Sequence, residues 1–241
     1  MKNSNRYLLA AVLVLLASLT AYNMALRTEY RKGTYKDPLH GYTALMFKGF
    51  TEIAVPAASS ANVKIVAGPF SVRINPAAAE YVHISQQGQR LLITANFPET
   101  HKYLGRNETV VISCPRLAAL TTDAVYQEHG QPQANKAHAN GRRVLVQGFR
   151  QDSLLVLADQ ASRVELVSND LAFLRTVAGP TPGSHTSLQL NADNHIAAAS
   201  LTLGHQSELT LDNVLIPKLH YQFSDSAKVT LLGRALGRLP Q

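Results

Sequence analysis

The residues able to do chemistry are nine histidines, one cysteine and a scatter of aspartates, and their spacing decides what they could do. A zinc hydrolase would place two histidines one helical turn apart around a glutamate, and a structural zinc site would pair cysteines two residues apart. The chain contains neither pattern. His185 and His205 each precede a short stretch of alternating apolar residues, a placement that could bring them together, but Gln160 and Asp225 occupy comparable places. Interchangeable polar residues fit turning corners better than ligands, so no metal and no cofactor is expected.

Carboxylates give the same answer. Glycoside hydrolysis needs two acids about 5 to 10 Å apart, and Asp152, Asp159, Asp170, Asp193, Asp212 and Asp225 are the candidates. Most of them fall between apolar stretches, where aspartate is favoured for turning the chain. No glycine-rich phosphate loop or nucleophile elbow accompanies them. Cys114 closes the alternating run from Val110 to Ser113 and precedes Pro115. With no second cysteine it cannot form an internal disulfide, and its place reads as a buried structural thiol. No catalytic residue is assigned, and the expectation is a protein that is not an enzyme.

The net charge of +7 raises the question of nucleic acid, but the body of the chain lacks runs of Lys and Arg interleaved with aromatics. The basic residues gather instead at Arg27, Arg31, Lys32 and Lys36, directly after an uncharged run from Tyr7 through Leu26. Twenty helical residues just cross about 30 Å of hydrocarbon. Residues 1–26 therefore read as a membrane anchor or signal segment, with residues 7–26 in contact with the membrane. The small-residue pairs that could mark cleavage, Ser18 with Thr20 or Leu19 with Ala21, are poor, which favours an uncleaved anchor over a signal peptide. Positive charge after the segment argues for a cytoplasmic body. The short basic start followed by an apolar run argues for export, and export to the cell envelope, anchored in the inner membrane with the body outside the cytoplasm, is the reading adopted.

Along the rest of the chain, residues 27–48 read as a tether and 49–241 as the folded body. Val63 and Ile65, then Phe70, Val72 and Ile74, alternate on either side of Gly68-Pro69 and predict a hairpin. A second pair of strands is predicted from Val82 and Ile84 and from Leu91 to Ile93 around Gln86-Gln87-Gly88, and a further strand at Val110 to Ile112. Residues 127–142, with Gly130, Pro132 and Gly141 and no apolar period, read as an exposed insertion.

Beyond it the chain repeats. The triplets starting at Val164, Leu188, Leu209 and Val229 recur at intervals of 24, 21 and 20 residues. A weaker series is made by Leu155-Val156-Leu157, Arg175-Thr176-Val177, Leu201-Thr202-Leu203 and Tyr221-Gln222-Phe223, with the Arg175 member least regular. Strands of about three residues cannot make stable hairpins alone, but stacked as successive turns each pairs with those above and below. The chain from Asn62 on is thus expected to be all-β and to finish in a parallel β-solenoid, with countable coils between Leu154 and Leu236. Asn169, Asn194 and Asn213 recur after the second strand of each coil, where asparagine tolerates the left-handed backbone of a tight corner. A basic tail from Arg234 ends the stack.

Several stretches resemble the bacterial auto-transporter adhesin head (GIN) domain family: Phe50-Thr-Glu-Ile53-Ala-Val55, Val63-Lys-Ile65-Val66, Tyr81-Val-His-Ile84, Leu91-Leu-Ile93 and Val110-Val-Ile112-Ser-Cys-Pro115-Arg-Leu117, followed by the coils. The resemblance spans roughly 47–236. The family's corner Gly-Ser-Gly is replaced here by Asp159-Gln-Ala-Ser162, Asn191-Ala-Asp-Asn194 and His205-Gln-Ser207. The resemblance implies a right-handed parallel β-helix exported behind a signal or anchor, without an activity that transfers residue by residue. Three functions follow: a non-enzymatic envelope module binding a protein or glycan on the solenoid surface, a carbohydrate-active enzyme on the same scaffold, or a structural spacer in a membrane complex.

Overall fold

The computed structural model describes residues 3–33, 36–100, 104–135 and 141–238. The chain divides into two compact units, Met1–Tyr42 and Thr43–Gln241.

The first unit is dominated by helix α1 (Asn3–Lys32), which buries none of its residues within the protein. It is long and apolar enough to cross a membrane, with a mean hydropathy of 2.0 over its most apolar 18 residues. The helix runs past Leu26 through the basic cluster, where Lys32 pairs with Glu29 one turn back. The first residues assigned to a tether are therefore helical, because Arg27 to Lys32 contains no breaker before Gly33.

The second unit opens with β1 (Thr43–Leu45), β2 (Glu52–Val55), β3 (Val63–Ala67) and β4 (Ser71–Ile74), so the stretch assigned to a tether also supplies a strand. It continues with β5 (Val82–Gln87), β6 (Arg90–Phe97), β7 (Val110–Cys114) and β8 (Ala119–Thr122). The predicted Val63–Ile74 hairpin does not form. β7 lies between its two arms, parallel to β3 and antiparallel to β4, while β1 pairs the far side of β4. Alternation reports which face a strand buries, and two alternating arms joined by a turn do not reveal that a third strand separates them. β5 and β6 do form the expected antiparallel pair.

The exposed insertion is in part a hairpin. β9 (Val125–Glu128) and β10 (Gln131–Ala134) pair antiparallel around His129-Gly130, β10 is exposed throughout, and β9 joins β6 at Asn96 and Phe97. Residues 136–140 of that insertion lie outside the described residues.

From here the chain alternates between two sheets. β11 (Val144–Gln147), β13 (Arg163–Val167), β15 (Ser187–Leu190), β17 (Glu208–Asp212) and β19 (Lys228–Leu232) extend the first sheet. β12 (Arg150–Ala158), β14 (Asp170–Ala178), β16 (His195–Leu203) and β18 (Lys218–Phe223) extend the second. Among the described residues the first sheet is ordered β1-β4-β7-β3-β11-β13-β15-β17-β19 and the second β10-β9-β6-β2-β8-β12-β14-β16-β18, with β5 on β6. Both sheets are open and mixed. The expectation of a parallel β-helix across 49–241 is corrected to that extent: β1, β4, β5 and β10 pair antiparallel, whereas every pairing from β11 onward is parallel.

The repeat fixes the register of the first sheet. Val164 pairs with Leu188, Leu188 with Leu209 and Leu209 with Val229. In the second sheet Leu155 pairs with Arg175 and Leu201 with Tyr221, but Leu201 meets Thr176 rather than Arg175. The cause is one extra residue in the corner Asn191–Asn194 relative to the corner one coil earlier, since Leu166 aligns with Leu190 but Asp170 with His195.

Inward side chains form columns such as Ile65, Val146, Leu166, Leu190 and Leu211, each 5 % exposed or less. Thr176 breaks one of these columns. It stacks between Val156 and Leu201, is 1 % exposed, and its hydroxyl finds no partner. A buried unpaired hydroxyl costs about 1 to 3 kcal/mol, and valine keeps the shape without it. Thr176→Val is therefore expected to stabilise the protein by about 1 kcal/mol, read as a higher urea midpoint at unchanged slope.

The stack ends in the 3-10 helix Gly233–Arg238, of which Ala235 is buried. The predicted tail from Arg234 thus begins as helix, and residues 239–241 lie outside the described ones.

Candidate functional site

Cys114 is fully buried at the end of β7, and burial pushes its thiol up to about 12, so it stays protonated and unreactive. The described histidines do not gather with other metal-ligating side chains. The β15/β17 register sets His185 level with Gln206, both with φ of 51°, and leaves His205 one residue out of that column. Among the described residues no three His, Cys, Asp or Glu side chains converge on a point that could hold a metal.

The aspartates separate by role. Asp193 and Asp225 are exposed at corners, Asp152 is exposed within β12 and Asp170 at the start of β14, and Asp212 is half-buried at the end of β17. Asp159 is enclosed by the loop that follows β14. It accepts from the backbone N–H groups of Gln160 (2.8 Å) and Thr181 (3.3 Å) and from the hydroxyls of Thr181 (2.5 Å) and Ser184 (2.8 Å). Burial pulls its pKa upward, but the bonds from Thr181, Gln160 and Ser184 together outweigh it and hold the carboxyl below its ordinary range. Its oxygens are spent fastening a loop rather than facing a substrate.

Asp123, at the corner one coil earlier, shifts the other way. Burial raises its pKa, the Ala124 N–H opposes, and the charge of Asp159 adds to the rise. The signs determine the pH response. The lowered Asp159 contributes stability that is present above the ordinary carboxylate pKa and lost as pH falls through its folded value, whereas the raised Asp123 favours the folded state as pH falls. Asp159→Ala is expected to be less stable at neutral pH and to lose less of its stability than the parent between neutral and acid pH, measured by urea unfolding across that range.

Two concavities remain. The first, about 190 Å³, lies beside β3, β11 and β13 and is lined by Asn62, Arg106, Glu108, Arg143, Arg163 and Glu165. Glu165 is 6 % exposed and receives both arginines: Arg143 Nη1 at 3.1 Å on Oε2 and Arg163 Nη2 at 2.7 Å on Oε1. Arg143 reaches on to Glu108 at 3.6 Å, and Arg163 donates to Gln189 on β15 at 3.2 Å. The cluster ties the start of β11 to β13 by charge, and β13 to β15 by a hydrogen bond. Sequence reasoning missed it because its members sit about 20 residues apart; the outward positions of aligned triplets would have revealed it.

The second concavity, about 260 Å³, lies where the β5/β6 pair meets the β9/β10 hairpin. His83 and Thr94 are cross-strand partners on β5 and β6, and Asn96 stands two residues further on, opposite Gln127 of β9. Tyr126 forms the wall with Val125 and Pro132. Its ring is held edge-to-face on Phe97 at 5.8 Å, and Phe97 stacks on Tyr81 at 5.6 Å. Burial, with the charge of Glu128, raises the Tyr126 phenol above its usual range. The Asn96 backbone is fixed by its N–H bond to Tyr81 (2.8 Å), yet its buried Oδ1 has no partner among the described residues. Its lining was assigned from sequence partly to a strand and partly to an insertion, so nothing in the chain's order pointed to it.

No protein-family model matches the chain, and no curated protein matches it. Among solved structures it is similar to a "putative adhesin" from Parabacteroides distasonis ATCC 8503, with a TM-score of 0.50 and 14 % identity over 80 % of this chain and 73 % of that one. A "putative adhesin" from Bacteroides fragilis NCTC 9343 gives 0.49 and 12 % over 80 % and 93 %. A "putative lipid binding protein" from Parabacteroides distasonis ATCC 8503 gives 0.33 and 10 % over 80 % and 94 %. At such identities the likeness to the first of these is one of fold.

Proposed function

We propose that this chain is a non-enzymatic binding protein of the bacterial cell envelope, anchored in the inner membrane through residues 7–26 with its β body outside the cytoplasm. The body is a right-handed parallel β-helix of the GIN type with an elaborated N-terminal end, and its surface binds a protein or glycan partner.

The observation that carries the reading is α1. A 30-residue helix with none of its residues buried leaves its apolar surface with no home inside the protein, and a bilayer supplies one. The polar chemistry of the body supports binding over catalysis, since the best-held carboxylate is consumed by a loop and the cysteine by the core. The Parabacteroides protein of similar fold is named an adhesin, which is a binding role.

Fractionation with protease access tests the placement. The protein is expected in the membrane pellet, resistant to high salt and released by detergent, with its body cleaved once the outer envelope is opened. Recovery in the soluble fraction, or protection until the inner membrane is lysed, would overturn it.

A further inference from the structure

We propose that two copies of this chain join end to end at the C-terminal end of the stack, where β18 of one pairs antiparallel with β18 of the other about a two-fold axis.

The outer edges of the two sheets differ. At the N-terminal end β1 has three residues, and β10 is polar and carries Pro132, devices that keep an edge from pairing. β18 has six residues and no proline, and among the described residues it pairs with β16 alone. Its core face is open as well. Leu219, Tyr221 and Phe223 lie in register with Ala199, Leu201 and Leu203, each of which is 1 % exposed or less. Tyr221 is nevertheless 59 % exposed, its ring stacked on Phe223 at 4.9 Å. Val229 on β19 is 36 % exposed, whereas its register partner Leu209 is 1 % exposed. Both sheets thus present the ends of their inward apolar columns, and a repeat stack needs such an end covered.

Register and charge select what covers it. In an antiparallel pair, opposite residues share a face, and the symmetric register that matches all three apolar residues of β18 is the one centred on Tyr221. It sets Tyr221 against Tyr221 of the second copy, Leu219 against Phe223 and His220 against Gln222. Lys218 then falls opposite Ser224 and beside Asp225 of the second copy, and the axis repeats that pair. Both side chains are exposed, and neither has a partner of its own among the described residues. Thr230 lies three residues beyond the corner Ser224–Ala227 and Tyr221 three residues before it. The same axis therefore runs through β19 and sets Val229 against Leu231. An extended segment of another protein would continue one sheet, whereas a second copy continues both. Strands of about 20 Å in sheets about 10 Å apart give an end of roughly 500 Å² per copy. The total of about 1,000 Å² stands at the lower limit of specific interfaces.

Sedimentation velocity of the full chain in detergent is expected to show a monomer–dimer equilibrium with a dissociation constant on the order of 10 μM. Lys218→Glu, which meets Asp225 of the second copy with like charge, is expected to weaken it at least tenfold, and Asp225→Lys to do the same. The double variant is expected to restore it to within about threefold of the parent. The axis also sets the Cα atoms of the two residues 221 about 4.5 to 5.5 Å apart, within disulfide range. Tyr221→Cys is expected to give a covalent dimer on mild oxidation, in detergent and in native membranes, while Gln131→Cys on β10 at the other end stays monomeric. Cys114 is buried and takes no part. A monomer alone at about 0.1 mM, or a dimer indifferent to charge reversal at Lys218 and Asp225, overturns the inference. So does capture of a different protein by Tyr221→Cys in place of a second copy.

Discussion

Gly204→Ala is expected to destabilise the body by about 3 kcal/mol or more, lowering the thermal midpoint by about 6–12 °C. Gly204 follows β16, and its N–H donates to Ala178 in the previous coil at 2.7 Å, while the next residue donates to Gly179 at 3.0 Å. A Cβ at Gly204 would sit 2.0 Å from the Gly179 carbonyl oxygen and 2.8 Å from its carbon. Both obstacles are backbone, so no side chain can rotate away, and the two coils must separate and stretch those bonds. Gly183→Ala is the control. Its added Cβ meets nothing within 4 Å, leaving only the strain of a φ of +74°, about 1 kcal/mol. Scanning calorimetry of both variants checks the contrast, and equal losses would show that coil spacing is not the cause.

Asn169→Ala should cost about 2 to 5 kcal/mol through a different mechanism. Asn169 and Asn194 occupy aligned corners of successive coils and are 1 % and 4 % exposed. Asn169 accepts from the Phe149 N–H (3.0 Å) and donates to the Val146 carbonyl (3.1 Å) and to Asn194 Oδ1 (3.0 Å). Asn194 Oδ1 also accepts from the Asn169 N–H (3.1 Å), while its amide nitrogen donates to Leu166 (2.7 Å) and Asn191 (2.8 Å). Removing Asn169 strands the N–H of Phe149 and the carbonyl of Val146 away from water, at about 1 to 3 kcal/mol each. Asn194→Ala should behave alike. The double variant should lose less than the sum of the singles by about 1 kcal/mol or more, because the shared bond is removed only once. Strict additivity in urea unfolding would sink the ladder.

These two cases also show what the chain discloses. The register of the first sheet was legible from Val164, Leu188, Leu209 and Val229, since inward positions of a stacked sheet must be apolar and evenly spaced. Asn169 and Asn194 were legible as corner residues but misread in function. At the corners after β13 and β17 the left-handed residues are Ser168 and Asn213, and the two asparagines Asn169 and Asn194 instead turn inward to satisfy backbone groups. Sequence shows that asparagine suits a corner without showing whether its backbone or its amide is used. The β7 strand between β3 and β4, the Arg143–Glu165–Arg163 cluster and the Asn96 groove were all illegible for one reason. Each depends on which distant strands lie side by side, and short-range alternation carries no information about that.

The position of β2 and β3 has a consequence for how the body comes into being. β2 is flanked by β6 and β8, and β3 by β7 and β11, so the earliest long-range strands are interior ones. A chain emerging with its N-terminus first leaves an edge of β2 exposed until Thr122 has followed, and an edge of β3 exposed until Gln147 has. Closing such separations costs loop entropy before any pairing rewards it, which makes assembly slow at the front and quick at the back. Each later coil then adds to a finished template with a partner only about 20 to 25 residues behind it. The N-terminal half is therefore the kinetic bottleneck, and the stage at which a holding factor would do the most good.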